Sequence, residues 1–328
     1  MFSRPQSPVG VTVAAALLVG LIPGPLPAAD GDRCPPVRFL SPAGEVLPAD
    51  YPLSSEARTF FVIHGFQSSG TSPGCLELAD AIQRRFTDAN VVIVDWRASA
   101  EDRGKGGVRA IPVLGGLFGL PVDYRAAAEF APRVGKEIAD WMARQGIRPS
   151  KTVICGHSLG AQVAAFASNE CARRERFGER VWAILAADPA RPRFQDEPSE
   201  KRLDKDDARE VIVIHATKIL GDASPLGTVD VYIVRSDGSP PNELEDHSRA
   251  RELLAESFRD PEMTHDDGTP FGANALEFRF REDRPRRYTR IVPRETELPA
   301  NLTDTERVAA AAAERLRPRA VLEAGANQ

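Results

Sequence analysis

Several features that would assign a protein class at once are missing from this sequence. The net charge is -5 with both signs mixed along the chain, so the basic face of a nucleic-acid-binding protein is not there. There is no internal repeat, and after the first thirty residues no apolar run reaches the roughly 20 residues that a membrane span needs. These absences leave a globular protein, for which 42% hydrophobic residues is ordinary.

Cysteine is also scarce, with only Cys34, Cys75, Cys155 and Cys171 in 328 residues. Their spacing does not suggest a zinc site, and four cysteines allow three disulfide pairings. Cys155 lies in an apolar run, where a cysteine is more often an inert small hydrophobic residue than a disulfide partner. Cys34 with Cys75 is therefore the first pair to test.

The first 29 residues have the layout of a secretory signal peptide. Arg4 provides a positive start, Val9 to Ile22 is apolar, and Ala28 and Ala29 form a small-residue cleavage site. A membrane anchor is the alternative, but the apolar run is shorter than the roughly 20 residues of a span. We therefore expect a secreted or periplasmic protein with one main domain over residues 30–294. Residues 295–328 are predicted to form an appended helix and tail.

Six short apolar runs are typical of strands buried on both faces, because they are nearly continuous rather than alternating. They are Thr59–Ile63, Val91–Asp95, Thr152–Gly156, Val181–Asp188, Val211–Thr217 and Val229–Val234. Helical stretches are predicted at Leu76–Phe86, Ala127–Trp141, Leu159–Cys171 and Ser248–Phe258. This alternation predicts an α/β fold with a mostly parallel central sheet and helices on both faces. Pro132 and Gly135 predict a kink or a late start in the second helix.

The strongest local motif is Gly156-His157-Ser158-Leu159-Gly160, between a predicted strand and a predicted helix. That context distinguishes a nucleophile elbow from a chance match in a glycine-rich loop. Both glycines are required, because side chains there would collide with the neighbouring strand and helix. Ser158 is therefore predicted to be a nucleophile at a helix N-terminus, where the dipole favours developing negative charge.

A nucleophilic serine needs a histidine to take its proton and a carboxylate to orient that histidine. In this type of fold the chain order is serine, acid, histidine. Asp188 ends a predicted strand, and His247 follows it on a loop at the start of a helix. Asp188 and His247 are therefore predicted to complete a triad with Ser158. An ordinary strand-ending aspartate is the alternative for Asp188.

The other four histidines fit the role of base less well. His64 and His157 precede Ser158, which does not suit the chain order. His215 lies inside an apolar run and is predicted to be a hydrogen-bonded core residue. His265 lies in a polar loop and is predicted to be solvated.

An oxyanion hole needs two backbone N–H groups. Leu159, directly after the nucleophile, supplies the first. Phe66 lies in the segment His64-Gly65-Phe66 that follows the first predicted strand, and it is predicted to supply the second. A simple strand-ending turn is the alternative for this segment.

From about Phe60 to Phe258 the chain resembles the pancreatic lipase family of α/β-hydrolases, which includes phospholipases A1. The similar segments occur in the family's order and are FVIHGFQSSG, VVIVDWR, VICGHSLGAQVAAFAS, AADPARPRF, RLDKDDA, VIVIHAT, LGTVDVY and DHSRARELLAESF. The resemblance implies that residues 30–294 form an α/β-hydrolase catalytic domain. It also implies that Ser158, Asp188 and His247 match the triad, and that Phe66 and Leu159 match the oxyanion donors.

The resemblance further implies a structural calcium ion, while the chemistry itself needs no cofactor. Asp204 and Asp207 match the family's carboxylate ligands, and Arg202 matches its backbone carbonyl ligand. Ser199 stands where the family's lipases have a glutamate, although Glu200 is adjacent. Because calcium takes several hard oxygen ligands, a solvated acidic turn remains the alternative.

Three departures from the family's triacylglycerol lipases bear on the substrate. Only residues 242–246 separate Pro240-Pro241 from His247, so the family's long lid is missing, and the loop 216–228 is also short. The chain after Phe258 is too short and too charged for the family's lipid-binding β-sandwich. Short loops resemble those of the phospholipases A1. The insertion Gly104–Pro121 is glycine-rich and apolar, and is either an interfacial or acyl-binding flap or a hairpin packed on the core edge.

The sequence thus predicts a secreted lipid esterase of the phospholipase A1 or lipase type. The expected partners of the protein are a lipid or ester substrate and a membrane or micelle surface. The sequence gives no prediction of the oligomeric state. A small-ester or triacylglycerol esterase is the alternative enzyme. A non-catalytic lipid-binding relative is the alternative of another class, and the presence of all three triad residue types disfavours it.

Overall fold

The computed structural model describes residues 35–100, 122–235, 241–265, 268–276 and 286–292. The predicted signal peptide, the predicted tail and the insertion Gly104–Pro121 lie outside these residues. No helix in the described ranges is both long enough and apolar enough to cross a membrane.

The described elements form a central eight-stranded sheet with helices packed on it. The strands are β1 (Arg38–Leu40), β2 (Thr59–Ile63), β3 (Asn90–Asp95), β4 (Thr152–His157), β5 (Ala183–Ala187), β6 (Glu210–His215), β7 (Val229–Arg235) and β8 (Arg286–Val292). The helices are α1 (Pro73–Arg85), α2 (Arg97–Ala100), α3 (Val122–Gln145), α4 (Leu159–Arg173) and α5 (Glu243–Arg259). Short 3₁₀ helices lie at Pro149–Lys151, Ser199–Lys201 and Gly272–Leu276.

The strand order is β1-β3-β2-β4-β5-β6-β7-β8, and only the pair β1–β3 is antiparallel. Because β2, β4 and β5 are neighbouring parallel strands, their carboxyl ends meet at one edge of the sheet. The residues that follow or close these strands at this edge include His64, Ser158 and Asp188. The sheet therefore gathers residues that are far apart in the sequence.

Side chains of β2 alternate between two apolar cores. Phe61 and Ile63 belong to the core that includes α3 and α4, whereas Phe60 and Val62 belong to the core that includes α1 and α5. Helices thus cover both faces of the sheet, which explains why the strand sequences are apolar without alternation. The predicted α/β-hydrolase fold class is confirmed.

Helix α3 excludes the late start, one of the two alternatives predicted from Pro132 and Gly135. It begins at Val122 and extends through Pro132 to Gln145, so it does not start late. Gly135 lies instead where α3 packs against α4. A Cβ at Gly135 would be 2.7 Å from the Cβ of Phe166 and 2.7 Å from the backbone nitrogen of Ala167. This glycine is therefore explained by helix packing.

Helix α5 begins at Glu243, earlier than the predicted start near Ser248. The Asn242 side chain caps it by accepting the N–H of Glu245 at 3.3 Å. Acidic residues fill the first turn, where the helix dipole favours negative charge. His247 therefore lies in the second turn of a helix and not on a loop, which corrects the expected setting of this residue.

The described cysteines are Cys75, Cys155 and Cys171, and all three are buried free thiols. Cys155 lies in β4 at 0% exposure, as predicted. The free thiol of Cys75 contradicts the expected disulfide with Cys34, which itself lies outside the described residues. Cys75 is only 3% exposed and packs in the core on the α1 side of the sheet.

Candidate active site

Ser158 occupies the sharp turn between β4 and α4. Its backbone has φ 56° and ψ -123°, a left-handed conformation that costs a non-glycine residue free energy. The Ser158 N–H donates to the Ala187 carbonyl at 2.9 Å, and the Ser158 carbonyl accepts the N–H groups of Ala161 and Ala190 at 3.0 and 3.1 Å. These bonds hold the strained turn to α4 and to the segment after β5. The geometry is that of a nucleophile elbow.

The glycines of the motif make this close packing possible. A Cβ on Gly156 would be 2.5 Å from the carbonyl oxygen of Gly160, and a Cβ on Gly160 would collide with the carbonyl oxygen of Ile63. Gly65 contributes a third close approach, because its Cβ would lie 2.9 Å from the Cβ of Ser158. The expected collisions at Gly156 and Gly160 are confirmed, and both obstacles are backbone atoms that cannot move aside.

Asp188 directly follows β5, has φ 45° and is 0% exposed. One carboxylate oxygen accepts the N–H groups of Ala216 and Thr217 at 2.7 and 3.1 Å. The other accepts the Thr217 hydroxyl and the Nδ1–H of His247, the latter at 2.6 Å. A buried carboxylate with this many donors is well satisfied. The predicted partnership of Asp188 with His247 is present in the geometry.

The bond to Asp188 fixes the tautomer of His247. A carboxylate only accepts, so Nδ1 carries the proton and Nε2 is left with its lone pair. Nε2 makes no hydrogen bond to any residue in the described ranges, and the side chain is 14% exposed. Ser158 Oγ and His247 do not hydrogen-bond to each other among the described contacts. Catalytic hydrogen bonds are often long until substrate is bound.

Two backbone N–H groups next to the elbow are candidates for the oxyanion hole. Leu159 follows Ser158, and Phe66 follows Gly65, the glycine that packs on the serine. In the part of the chain that the structure describes, neither the Phe66 nor the Leu159 N–H has an acceptor. Both predicted oxyanion donors are thus available to a substrate oxygen.

His64 holds the segment that carries Phe66. The backbone N–H of Trp96 donates to His64 Nε2 at 3.1 Å, and the Trp96 indole N–H donates to the His64 carbonyl at 2.8 Å. His64 Nδ1–H donates to the Gly65 carbonyl at 2.9 Å. The two rings also stack, with centroids 5.5 Å apart. His64 is therefore a buried structural residue, in line with its exclusion as the base.

His157 contacts the candidate base, which the sequence analysis did not predict. Its Nε2–H donates to the His247 backbone carbonyl at 3.0 Å, and the two rings lie 4.6 Å apart. Burial, and then the charges of His247 and Arg251, hold the pKa of His157 well below its usual range. His157 is therefore a neutral donor that positions α5 at the site. Its place at the end of β4, beside Ser158, was the available signal.

The prediction for one of the two remaining histidines is confirmed, and the prediction for the other is wrong. His215 is 2% exposed and contacts the Asp222 carbonyl and the Asp230 carboxylate, which confirms the predicted core residue. His265 is 4% exposed, so the prediction of a solvated side chain is wrong. The polar segment folds back through the His265 N–H to the Thr269 carbonyl, and the ring packs 4.9 Å from that of Phe271.

The residues expected to hold calcium do not fit that ion as they are arranged. Asp207 is buried, and its two oxygens accept the Asn169 amide at 2.5 Å and the Asp204 N–H at 2.8 Å. The Asp204 carboxylate accepts the Asp206 N–H at 2.7 Å, and the Arg202 side chain donates to carbonyls of its own loop. No group of three acidic, histidine or cysteine side chains suited to a metal occurs in the described ranges. Calcium could bind here only by displacing the donors that these carboxylates already accept.

We expect chelation to leave this protein unchanged. Because Asp204 and Asp207 are satisfied by neighbouring donors, excess EDTA should shift Tm by less than about 2 °C, which is below ~1 kcal/mol for a domain of this size. Differential scanning calorimetry measures the shift. A large drop in Tm that CaCl2 restores and MgCl2 does not would establish a calcium site instead.

Comparisons with known proteins agree with the fold and the geometry. The family model described as "Lipase" matches residues 50–240. "Phospholipase A1" of Vespa velutina is 30% identical over 215 residues, which are 62% of this chain and 66% of that protein. "Phospholipase A1 2" of Dolichovespula maculata is 32% identical over 216 residues, with the same shares of 62% and 66%. "Lipase member H" of Oryctolagus cuniculus is 30% identical over 184 residues, 55% of this chain and 35% of that protein.

This chain thus spans slightly less than two thirds of the length of these phospholipases A1. The family match, by contrast, covers more than half of this chain and includes both Ser158 and Asp188. The chain belongs to the lipase family of α/β-hydrolases, the pancreatic lipase-like family that its motifs resemble.

Proposed function

We propose that this protein hydrolyses carboxylic esters of lipids through an acyl-enzyme intermediate on Ser158. The observation that carries the proposal is the 2.6 Å bond between His247 and the buried Asp188, at the sheet edge where Ser158 stands in a strained elbow. The lipase family match supports the same chemistry.

Each residue has a defined role in this mechanism. His247 Nε2 takes the proton of Ser158 Oγ as the oxygen attacks the ester carbonyl. Asp188 stabilises the imidazolium that forms, and the N–H groups of Phe66 and Leu159 donate to the developing oxyanion. His247 then gives its proton to the leaving alcohol. A water molecule repeats the sequence on the acyl-enzyme and releases the fatty acid.

The substrate class that we favour is phospholipid, with hydrolysis of the phospholipase A1 type. The two wasp relatives carry that name. Strand β7 ends at Arg235 and α5 begins at Glu243, so few residues are left for a lid between them. A short segment at this place leaves room for a substrate with a large polar headgroup.

We further propose that the protein is exported and acts at a membrane or micelle surface. The apolar run after Arg4, followed by small residues, supports export. A lipid ester presents its carbonyl at such a surface, so the enzyme must reach it there.

A substrate comparison tests the proposal. We expect kcat/KM for phosphatidylcholine in mixed micelles to exceed that for tributyrin by roughly tenfold or more, a difference of about 1.4 kcal/mol in transition-state binding. Fatty-acid release is measured with the Ser158→Ala protein as a control for contaminating lipases. Preference for p-nitrophenyl butyrate or tributyrin would indicate an esterase of small esters or triacylglycerols. No hydrolysis of any substrate would indicate a non-catalytic lipid-binding protein.

A further inference from the structure

Arg251 lies one helical turn after His247 on α5, and the mechanism above does not use it. Its guanidinium packs on Gly74 at the start of α1, where a Cβ would collide with Arg251 Cζ and Nε. The side chain is half-buried and lines a small cavity. The cavity lies next to the elbow, because Gly65 and His157, the neighbours of Ser158, also line it.

The charge of Arg251 is not balanced by a neighbouring acid. Within the described ranges it has no carboxylate at salt-bridge distance and no hydrogen-bond acceptor. Arg249, two residues earlier on the same helix, pairs with both Glu252 and Glu256. A guanidinium that is partly removed from water without an anionic partner is unfavourable. An anion from outside the chain would supply the partner that Arg251 lacks.

The surroundings of Arg251 are suited to an anion. No acidic side chain is among the residues that line the cavity, and the first turn of α1 is free of acidic residues. The Ser68 hydroxyl lies at the cavity and hydrogen-bonds to the Ser72 hydroxyl at 3.1 Å. His157 is neutral, since burial and the nearby positive charges disfavour its protonated form. Arg251 is thus the one permanently charged side chain among the described residues that line the cavity.

We propose that Arg251 binds the phosphate of a phospholipid beside Ser158 and so selects phospholipids over neutral esters. The proposal rests on the proposed ester hydrolysis and adds a specificity residue to it. A guanidinium fork matches two phosphate oxygens. His247 and Arg251 share one face of α5, about 6 Å apart along the axis. This offset suits an ester and a phosphate that are joined by a three-carbon glycerol unit. Leu78 and Leu254 give the cavity apolar walls, which favour a lipid over a free ion.

The test compares phosphatidylcholine with a diacylglycerol of the same acyl chains, each in the same neutral detergent micelles. We expect Arg251→Gln to lower kcat/KM for the phospholipid by roughly 10- to 100-fold, as loss of a charge-assisted bond does. The diacylglycerol should change by less than about twofold in this variant, because the charge does not touch the ester. The kcat/KM of Arg251→Lys for the phospholipid should lie between those of the wild type and Arg251→Gln, since lysine keeps the charge but lacks the guanidinium fork.

Two further variants test whether the effect depends on the position of the guanidinium and on this particular charge of α5. Gly74→Ala keeps the charge but displaces the guanidinium, and we expect it to lose phospholipid selectivity as Arg251→Gln does. Arg259→Gln removes a charge from the exposed end of the same helix and should leave both substrates unchanged. An equal loss on both substrates, or no loss on the phospholipid, would overturn the proposal. Failure of the proposed function itself is distinguishable, because the wild type would then hydrolyse neither ester.

A competition experiment with inorganic phosphate distinguishes a phospholipid headgroup from a free phosphate ion as the ligand of Arg251. We expect inorganic phosphate to leave wild-type hydrolysis of p-nitrophenyl butyrate unchanged, because a free ion lacks the acyl chains that hold a lipid in place. Inhibition of the wild type that is absent in Arg251→Gln would assign the site to free phosphate and overturn the lipid assignment.

Discussion

Replacement of Ser158 by alanine is expected to lower kcat/KM for every ester by roughly 10³-fold or more while the fold is kept. The change removes the attacking oxygen. In the described ranges Ser158 Oγ makes no hydrogen bond that the substitution would remove. Alanine at φ 56° has the same backbone strain as serine, so the fold should be kept. Fatty-acid release and Tm are measured on the same preparations, and Tm should change little.

Ser168→Ala is the matched control for this variant. Ser168 lies in α4, the helix that follows Ser158, and its buried hydroxyl donates to the Asp207 carbonyl and accepts the Val181 N–H. Its loss should lower Tm by several degrees, since an unsatisfied buried group costs about 1–3 kcal/mol. The kcat/KM of the folded protein should stay within about twofold of wild type, because Ser168 does not touch the site. Activity retained in Ser158→Ala would mean that the nucleophile is another residue.

Asp188→Asn is expected to lower kcat by roughly 10³- to 10⁴-fold. The carboxylate accepts from His247 Nδ1, from two backbone N–H groups and from the Thr217 hydroxyl. An amide has a single acceptor oxygen, so the group facing Thr217 and His247 becomes a donor. His247 then favours the tautomer with its proton on Nε2, which cannot take the Ser158 proton. KM should change much less than kcat.

The chain offers a second buried histidine–aspartate pair as a control. His215 in β6 and Asp230 in β7 lie 2.7 Å apart at Nε2 and Oδ1, and Asp230 also accepts the N–H groups of Leu226 and Gly227. Neither side chain hydrogen-bonds to Ser158 or His247 in the described ranges. We expect Asp230→Asn to lower Tm and to leave kcat of the folded enzyme nearly unchanged. Equal losses of kcat in Asp188→Asn and Asp230→Asn would show that both act through stability alone.

The elbow and the acid could be read from the sequence because local patterns encode them. Gly156 and Gly160 flank the serine between an apolar run and a helical stretch, and both are required by backbone contacts that the structure contains. Asp188 follows a strand, and parallel strands bring their carboxyl ends together. Chain order then excluded His64 and His157, and the sequence settings of His215 and His265 left His247 as the candidate base. These inferences needed no knowledge of side-chain packing.

Other features depend on contacts between distant segments. The first turn of α5 is acidic and has no apolar periodicity, so the sequence pattern predicted the helix to start too late. The actual start at Glu243 depends on the Asn242 cap. His265 lies in a polar segment, yet the chain folds it onto Phe271. The contact of Arg251 with Gly74 joins positions that no local pattern connects. The three-residue strand β1 is too short to be distinguished by periodicity.

The proposed mechanism requires that His247 and Asp188 together make one serine reactive. Labelling by a fluorophosphonate probe, followed by peptide mass spectrometry, tests this directly. We predict a single adduct on Ser158 in the wild type and a labelling rate that falls steeply in His247→Gln. An adduct on a different residue, or equal labelling rates in the two proteins, would contradict it.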